Sequence, residues 1–418
     1  MKQRLMMWPA AIGVAIAGLG GVAYRQSMRV DLGVTSTTAA TSSVAASRAQ
    51  SRDAERAALD VQIVVWNKAL TADPISAVAM GKLAALHMQK ARESGSWNEN
   101  LEAEVLARRS LSARTRRNGA TAVTLTNALL AQHRFVEAID VARTLVKQEP
   151  DEPAYRALLG EVAMEVGDDA TAAAMFNTVW TSRTGLSIAP RLARWLELTN
   201  HVEKARRVLS SARDEAVTRR DLSVETKAWF HLRVGDLELR AGRERDAASA
   251  YRAGLALDDQ DPRLLAAMAR LAAHQQDPDA VIAWGERAIA ARMDPATLGL
   301  LSKAYAQRGD GDKASEYAHA LAVVASAQRG PYDRAWSLYL LDQQEQVATV
   351  LTRALTELET RRDVYGYDLA AWALYRAGRF QESRTMMARA LRLQTPDPML
   401  RQHAEVIAAS AAVVSASR

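Results

Sequence analysis

The side chains able to do chemistry are sparse and scattered. The seven histidines are His87, His133, His201, His231, His274, His319 and His403. None forms a His-x-x-x-His pair with a Glu, so the helical zinc-hydrolase arrangement is absent. Each reads as a solvated or helix-surface imidazole rather than a ligand. Phosphate cradling needs a longer glycine loop closed by Lys-Ser or Lys-Thr, and Gly309-Asp310-Gly311-Asp312 has neither the length nor the lysine. Asp258-Asp259-Gln260-Asp261 lacks the glycine and terminal Glu of a calcium loop and reads as a connection with helix N-cap residues. A serine followed three positions later by lysine does not occur. The chain has no cysteine, which excludes structural disulfides, thiolate metal sites and a cysteine nucleophile, and fits an exported protein. These residues point to no enzyme, no metal and no cofactor. What remains is the chemistry of recognition: arginine forks, acids and tryptophans spaced along helices.

Those helices recur. Ala103, Ala138, Ala172, Ala205, Ala247, Ala280, Ala314 and Ala348, then Ser383, stand 35, 34, 33, 42, 33, 34, 34 and 35 residues apart. A period near 34 signals stacked small units, each unable to bury its apolar face alone. Apolar residues make up 49% of the chain but aromatic ones only 6%, so the helices are alanine-rich and pack closely. Asp261-Pro262 and Asp294-Pro295 mark helix restarts, as does Glu149-Pro150. Ala57–Leu70 and Ala77–Arg92 read as helices, residues 93–100 as a loop, and Leu101–Arg116 as the next helix. The 42-residue interval predicts a longer helix from Val202 to about Arg219.

Within each unit the pattern is helix, glycine-containing turn, helix. Leu159-Gly160 goes with Ala163, the turn Gly167-Asp168, Ala172 and Phe176; Val234-Gly235 goes with Gly242-Arg243, Ala247 and Tyr251. Leu301 goes with Tyr305, Gly309-Asp310 and Ala314, and Leu374 with Gly378-Arg379-Phe380 and Ala390-Leu391. This resembles the tetratricopeptide repeat over about residues 54–395, with nine or ten units. Thr126 and His133 depart from the small and glycine slots, Asp277-Pro278 fits its turn loosely, and Trp336 takes a small slot. Residues 397–409 read as a capping helix over the last apolar face. The resemblance implies an all-α right-handed superhelix, a solenoid whose first helices line a concave groove.

By repeat register that groove carries Asn127, Glu161, Arg191, Arg194, Trp229, Arg233, Asp236, Lys303, Arg334, Asp368 and Trp372. Arg191 and Arg194 share one helix face, and Arg233 falls on the equivalent helix of the next unit. Together they form a basic segment suited to an acidic stretch of a partner. The alternative is a solvated helix face. Trp66 and Trp284 fall instead in slots that pack between units. The ordered Lys/Asn/Arg set of the family's clamp for a C-terminal carboxylate is missing, as is the asparagine ladder of its sugar-transferring relatives.

Leu5–Tyr24 is uncharged for 20 residues and follows Lys2 and Arg4. As a helix it spans about 30 Å, the depth of a bilayer core, with its N-terminus held in the cytoplasm. It reads as an anchor; cleavage as a signal at Gly21-Val22-Ala23 is the alternative. Residues 35–47, rich in Ser, Thr and Ala, read as a flexible spacer. The net charge is +6, of which residues 1–53 carry +4, so the rest is nearly neutral and nucleic acid is not expected as a partner. The chain therefore divides into an anchor or signal (1–30), a linker (31–52), the repeat superhelix with its cap (53–410) and a tail (411–418). The expected function is a non-enzymatic scaffold or adaptor for other proteins, on the inner membrane of a bacterial envelope with its repeats in the periplasm. The alternative is an accessory or maturation factor of an envelope enzyme or transport complex.

Overall fold

The computed structural model describes residues 39–180, 185–327 and 334–416. The Leu5–Tyr24 run lies outside them. Among the described residues no helix is long and apolar enough to cross a membrane.

Among the described residues the chain is all-α, with twenty helices. A long first helix, α1 (Ala39–Ala72), is followed by nine hairpins and a cap. The hairpins are α2 (Ala77–Ser94) with α3 (Trp97–Ala113), α4 (Gly119–Ala131) with α5 (Phe135–Gln148), and α6 (Pro153–Val166) with α7 (Asp169–Val179). Next come α8 (Ala189–Leu198) with α9 (Val202–Thr218), α10 (Val224–Arg240) with α11 (Glu244–Leu255), and α12 (Pro262–His274) with α13 (Pro278–Ala291). The last three pair α14 (Pro295–Gln307) with α15 (Gly311–Ala327), α16 (Arg334–Asp342) with α17 (Val347–Glu357), and α18 (Val364–Arg376) with α19 (Phe380–Ala390). Helix α20 (Pro398–Ala416) closes the array. The architecture is a tetratricopeptide-like superhelix. The long α9 matches the extended interval in the sequence.

Each hairpin turns on one residue in the left-handed region. Gly95, Gly167, Gly242, Gly309 and Gly378 take it with φ of 73–79°, and His133, Asn200, Gln276 and Gln344 fill the same place in the units without glycine, with φ of 57–61°. A side chain there costs backbone energy, so packing across the hairpin enforces the turn in those four units. The slot alanines from Ala103 to Ala247, and Ser383, are fully buried. Gly160 and Gly235 admit the rings of Phe176 and Tyr251 from the second helix. A Cβ on Gly160 would stand 2.7 Å from Phe176 Cε2, and one on Gly235 would press into the Tyr251 ring.

Three expectations are corrected. Residues 93–100 are no long loop, because α3 begins at Trp97 with Ser96 as its N-cap. Helix α6 restarts at Pro153 rather than at Pro150, with Glu152 as its cap. In the eighth hairpin Gln344 and Gln346 both take positive φ. This shifts the register so that Val350 is buried while Ala348 is exposed. In addition, α1 begins at Ala39, inside the stretch read as a flexible spacer.

First helices pack on the next first helix, as in α2–α4, α4–α6, α6–α8, α10–α12 and onward to α18–α20. They form the inner layer of the curve, with the second helices outside. The coil also returns onto itself about six units later. Arg362 N donates to Val166 O at 3.2 Å. Arg392 grips Asp169 with two bonds of 2.6 and 3.0 Å, and Thr395 Oγ1 donates to Leu198 O at 2.8 Å. Gly167 has no room for a Cβ because the Arg362 backbone sits against it. At the other edge Val224 N reaches Glu55 Oε1 at 3.4 Å. The last two hairpins thus clasp α6–α8.

Candidate functional site

The inner layer places the recognition residues. Pro190 opens α8, and the helix then presents Arg191, Arg194 and Glu197 at three-residue spacing. Glu197 is buried. Arg194 Nη1 donates to it at 2.9 Å, and Arg240 of α10 donates through Nε and, at 3.1 Å, through Nη2. Burial alone would push this carboxyl up, but the Arg240 and Arg194 guanidiniums overcome it and hold the group at about 2. On α10, Trp229, Arg233, Asp236 and Arg240 share one face. Asp236 accepts from Tyr251 Oη at 2.9 Å and from Arg270 Nη2 of α12 at 3.1 Å. Burial again opposes ionisation, and Arg270 and Arg240 hold Asp236 below the usual carboxylate range. Arg233 lies 6.0 Å from the centroid of the Trp229 ring. Among the described residues it has no carboxylate partner. Burial, with Arg240 close by, pulls its guanidinium below the ordinary range. Four guanidiniums thus converge on two carboxylates, and Tyr365 of α18 faces them from the next turn of the coil, 5.3 Å beneath Arg194.

Two of the three arginines expected to form a basic segment are paired with carboxylates. Arg191 is neutralised by Glu161 at 2.6 Å and also donates to Ser187 O. Arg194 is committed to Glu197 and Tyr365. Only Arg233 of the expected three forms no direct ion pair among the described residues, although the Asp236 and Glu197 charges act on it from farther off, and Arg240 and Arg270 join the cluster. Asn127 is half-buried on α4 and makes no side-chain hydrogen bond among the described residues. Lys303 is exposed and paired with Asp342 at 2.6 Å.

Three of the expected groove residues turn out to be structural. Asp368 is fully buried, bonded to Arg334 and, at 2.8 Å, to His403 Nδ1. Trp372 is buried, with the His403 ring stacked on it at 4.3 Å. The cap helix α20 brings His403 onto both, a contact with no counterpart in a regular unit. Asp368 therefore offers no free surface and Trp372 only an edge, and Arg334 is held by Asp368 and by the Tyr365 ring. The residues missed in the sequence are Glu197, Arg240, Arg270, Tyr365 and His403. Arg240 had a signal, four residues after Asp236 on the same face; Tyr365 had none, since its partner Arg194 is a full turn of the coil away.

Beyond the cluster the inner face deepens into a cleft of about 420 Å3. Leu300 of α14, Leu338 and Tyr339 of α16, and Met399 of α20 line it, with Arg270 at one end. Among the described residues no group of three or more His, Asp or Glu is placed to hold a metal.

No known protein family matches the chain, and no curated protein matches it in sequence. Solved structures match in fold. Human IFIT1, as a dimer with m7Gppp-AAAA, is similar with a TM-score of 0.51 at 12% identity, over 81% of this chain and 77% of that one. A tetratricopeptide repeat protein of Parabacteroides merdae is similar with a TM-score of 0.44 at 13% identity, over 63% of this chain and 99% of that one. Pseudomonas aeruginosa pilF gives 0.39 at 15% identity, over 50% and 93%. At these identities the likeness is one of fold: stacked helical hairpins.

Proposed function

We propose that this protein is a non-enzymatic scaffold that holds a partner protein along the inner face of its superhelix. The observation that carries the proposal is Arg233, a half-buried cation on the inner layer that forms no direct ion pair among the described residues, in a cluster of four guanidiniums and two carboxylates. A bound carboxylate would supply the direct pair that Arg233 lacks. The stacked hairpins supply the rigid curved frame such binding needs. The uncharged Leu5–Tyr24 run after Lys2 and Arg4 supports a single-pass tether, with the repeats outside the cytoplasm in the periplasm of a bacterial envelope.

Two measurements test this. A reporter fused after Ser47 is active only as an exported reporter; activity only in the cytoplasm contradicts the placement. Complexes isolated from solubilised membranes contain a partner at stable one-to-one stoichiometry. Substoichiometric, transient contact with an envelope enzyme or transport complex would replace the scaffold with a maturation factor.

A further inference from the structure

The arginine cluster and the apolar cleft meet at one side chain. Arg270 belongs to both, since it donates to Asp236 at the cluster and lines the cleft. The charges on the cleft rim cancel, with Lys303 paired to Asp342. The cleft walls are Leu300, Leu338, Tyr339 and Met399, together with the edge of Trp372, whose indole N–H has no hydrogen-bond partner among the described residues. A cleft of about 420 Å3 falls within the roughly 300–1,000 Å3 typical of ligand pockets, enough for bulky side chains and too small for a folded domain. Asp236, which Arg270 holds, also lies within the field of Arg233 on α10, the guanidinium without a direct ion pair among the described residues.

We propose that this surface binds an acidic, apolar segment of a partner protein, with a bulky apolar side chain in the cleft and a neighbouring carboxylate on Arg233. The inference rests on the scaffold reading and names what the scaffold grips. A nucleic-acid backbone fits less well. It brings a charge at every nucleotide into a groove that also carries Glu197, Asp236 and Asp342, and it leaves the apolar walls unused. A peptide with one or two acids beside an apolar anchor matches both halves and discharges Arg233.

The test is selection of a random 12-residue peptide display library on the detergent-solubilised full chain, followed by titration of the enriched peptides. Enriched peptides place Asp or Glu beside Phe, Trp, Leu or Met. Their Kd rises at least tenfold on Arg233→Glu and on Ala296→Trp, which fills the cleft, while thermal melting confirms folding. Gly299→Leu serves as a second filling variant, since a Cβ there meets nothing closer than Leu321 Cδ2 at 3.5 Å. Enriched peptides without acids, or equal affinity for the wild-type chain and both kinds of variant, overturn this site while leaving the scaffold reading to the membrane complexes. Displacement of the peptides by a single-stranded oligonucleotide at lower concentration overturns it in favour of a polyanion site.

Discussion

At the scale of residues, charge pairing decides which side chains are available. Arg361 faces three carboxylates: Asp363 at 3.0 Å, Glu357 at 3.3 Å and Glu165 at 3.6 Å. One guanidinium cannot balance three charges. Burial, then the Asp363 charge, pushes the Glu165 carboxyl up to about 7. Its side chain remains 38% exposed, so water screens part of the effect. An unfolded Glu titrates near 4.3, roughly. Between these values the folded chain holds a proton that the unfolded chain has released. This site therefore favours folding at low pH and loses that contribution as pH rises through 7. Glu165→Gln is expected to melt higher than the wild type at pH 8 and by a smaller margin at pH 5; the same difference at both pH values in scanning calorimetry would contradict the assignment. Asp368 behaves oppositely. It is held below its ordinary range, against its burial, by His403 and Arg334, and its removal leaves the buried His403 and the half-buried Arg334 guanidinium without their acceptor. Asp368→Ala should lose about 3–5 kcal/mol in denaturant unfolding, whereas Glu316→Ala, which breaks the exposed Lys313–Glu316 pair, should lose no more than about 1 kcal/mol. Spacing showed that Arg191, Arg194 and Arg233 share the inner face. It could not show that Glu161 neutralises Arg191, because that pair joins different helices and no local period encodes it; the Arg194–Glu197 pair, three residues apart on α8, was within reach of spacing.

At the scale of elements, the repeat was legible because small residues recur wherever two helices cross. Gly160 and Gly235 fell in that slot by register, and the rings of Phe176 and Tyr251 occupy it. Gly235→Leu is expected to cost on the order of 1–3 kcal/mol by overpacking, read as a lower melting temperature; a neutral outcome would mean the ring has room to move. The αL turns offer the reverse test. Gln276 is exposed and holds φ of 57°, so Gln276→Gly should stabilise by about 1 kcal/mol. Register failed where the turn was irregular. Two positive-φ glutamines, Gln344 and Gln346, put Val350 rather than Ala348 into the core of the eighth hairpin, and neither glutamine announces such a turn as glycine does. Trp97 starting α3 was hidden for a similar reason, since Gly95-Ser96 completes in two residues a turn that the polar run 93–100 made look longer.

At the scale of the whole molecule, the coil clasps itself, and this was outside the reach of any sequence pattern. Arg392 and Asp169 are six units apart in the chain and meet only because the curvature returns the last hairpins to α6–α8. Arg194 and Tyr365 line the same cavity as Asp169 and Arg392. Asp169→Arg, which sets two cations together at the seam, should increase the radius of gyration in small-angle scattering without loss of helix signal in circular dichroism. An unchanged envelope would show that the backbone bond from Arg362 to Val166 and the Thr395 contact hold the turn alone. The central claim is that the inner face, and not the outer one, meets the partner. Its most direct test is photocrosslinking in cells with a photoreactive residue placed singly at Asn127, Lys303 or Ala296 on the first helices, and at Val105 or Val136, both about half exposed on the second helices. Light-dependent adducts of one partner from the three inner positions, with none from the two outer ones, is the predicted result; adducts from Val105 and Val136 alone would contradict it.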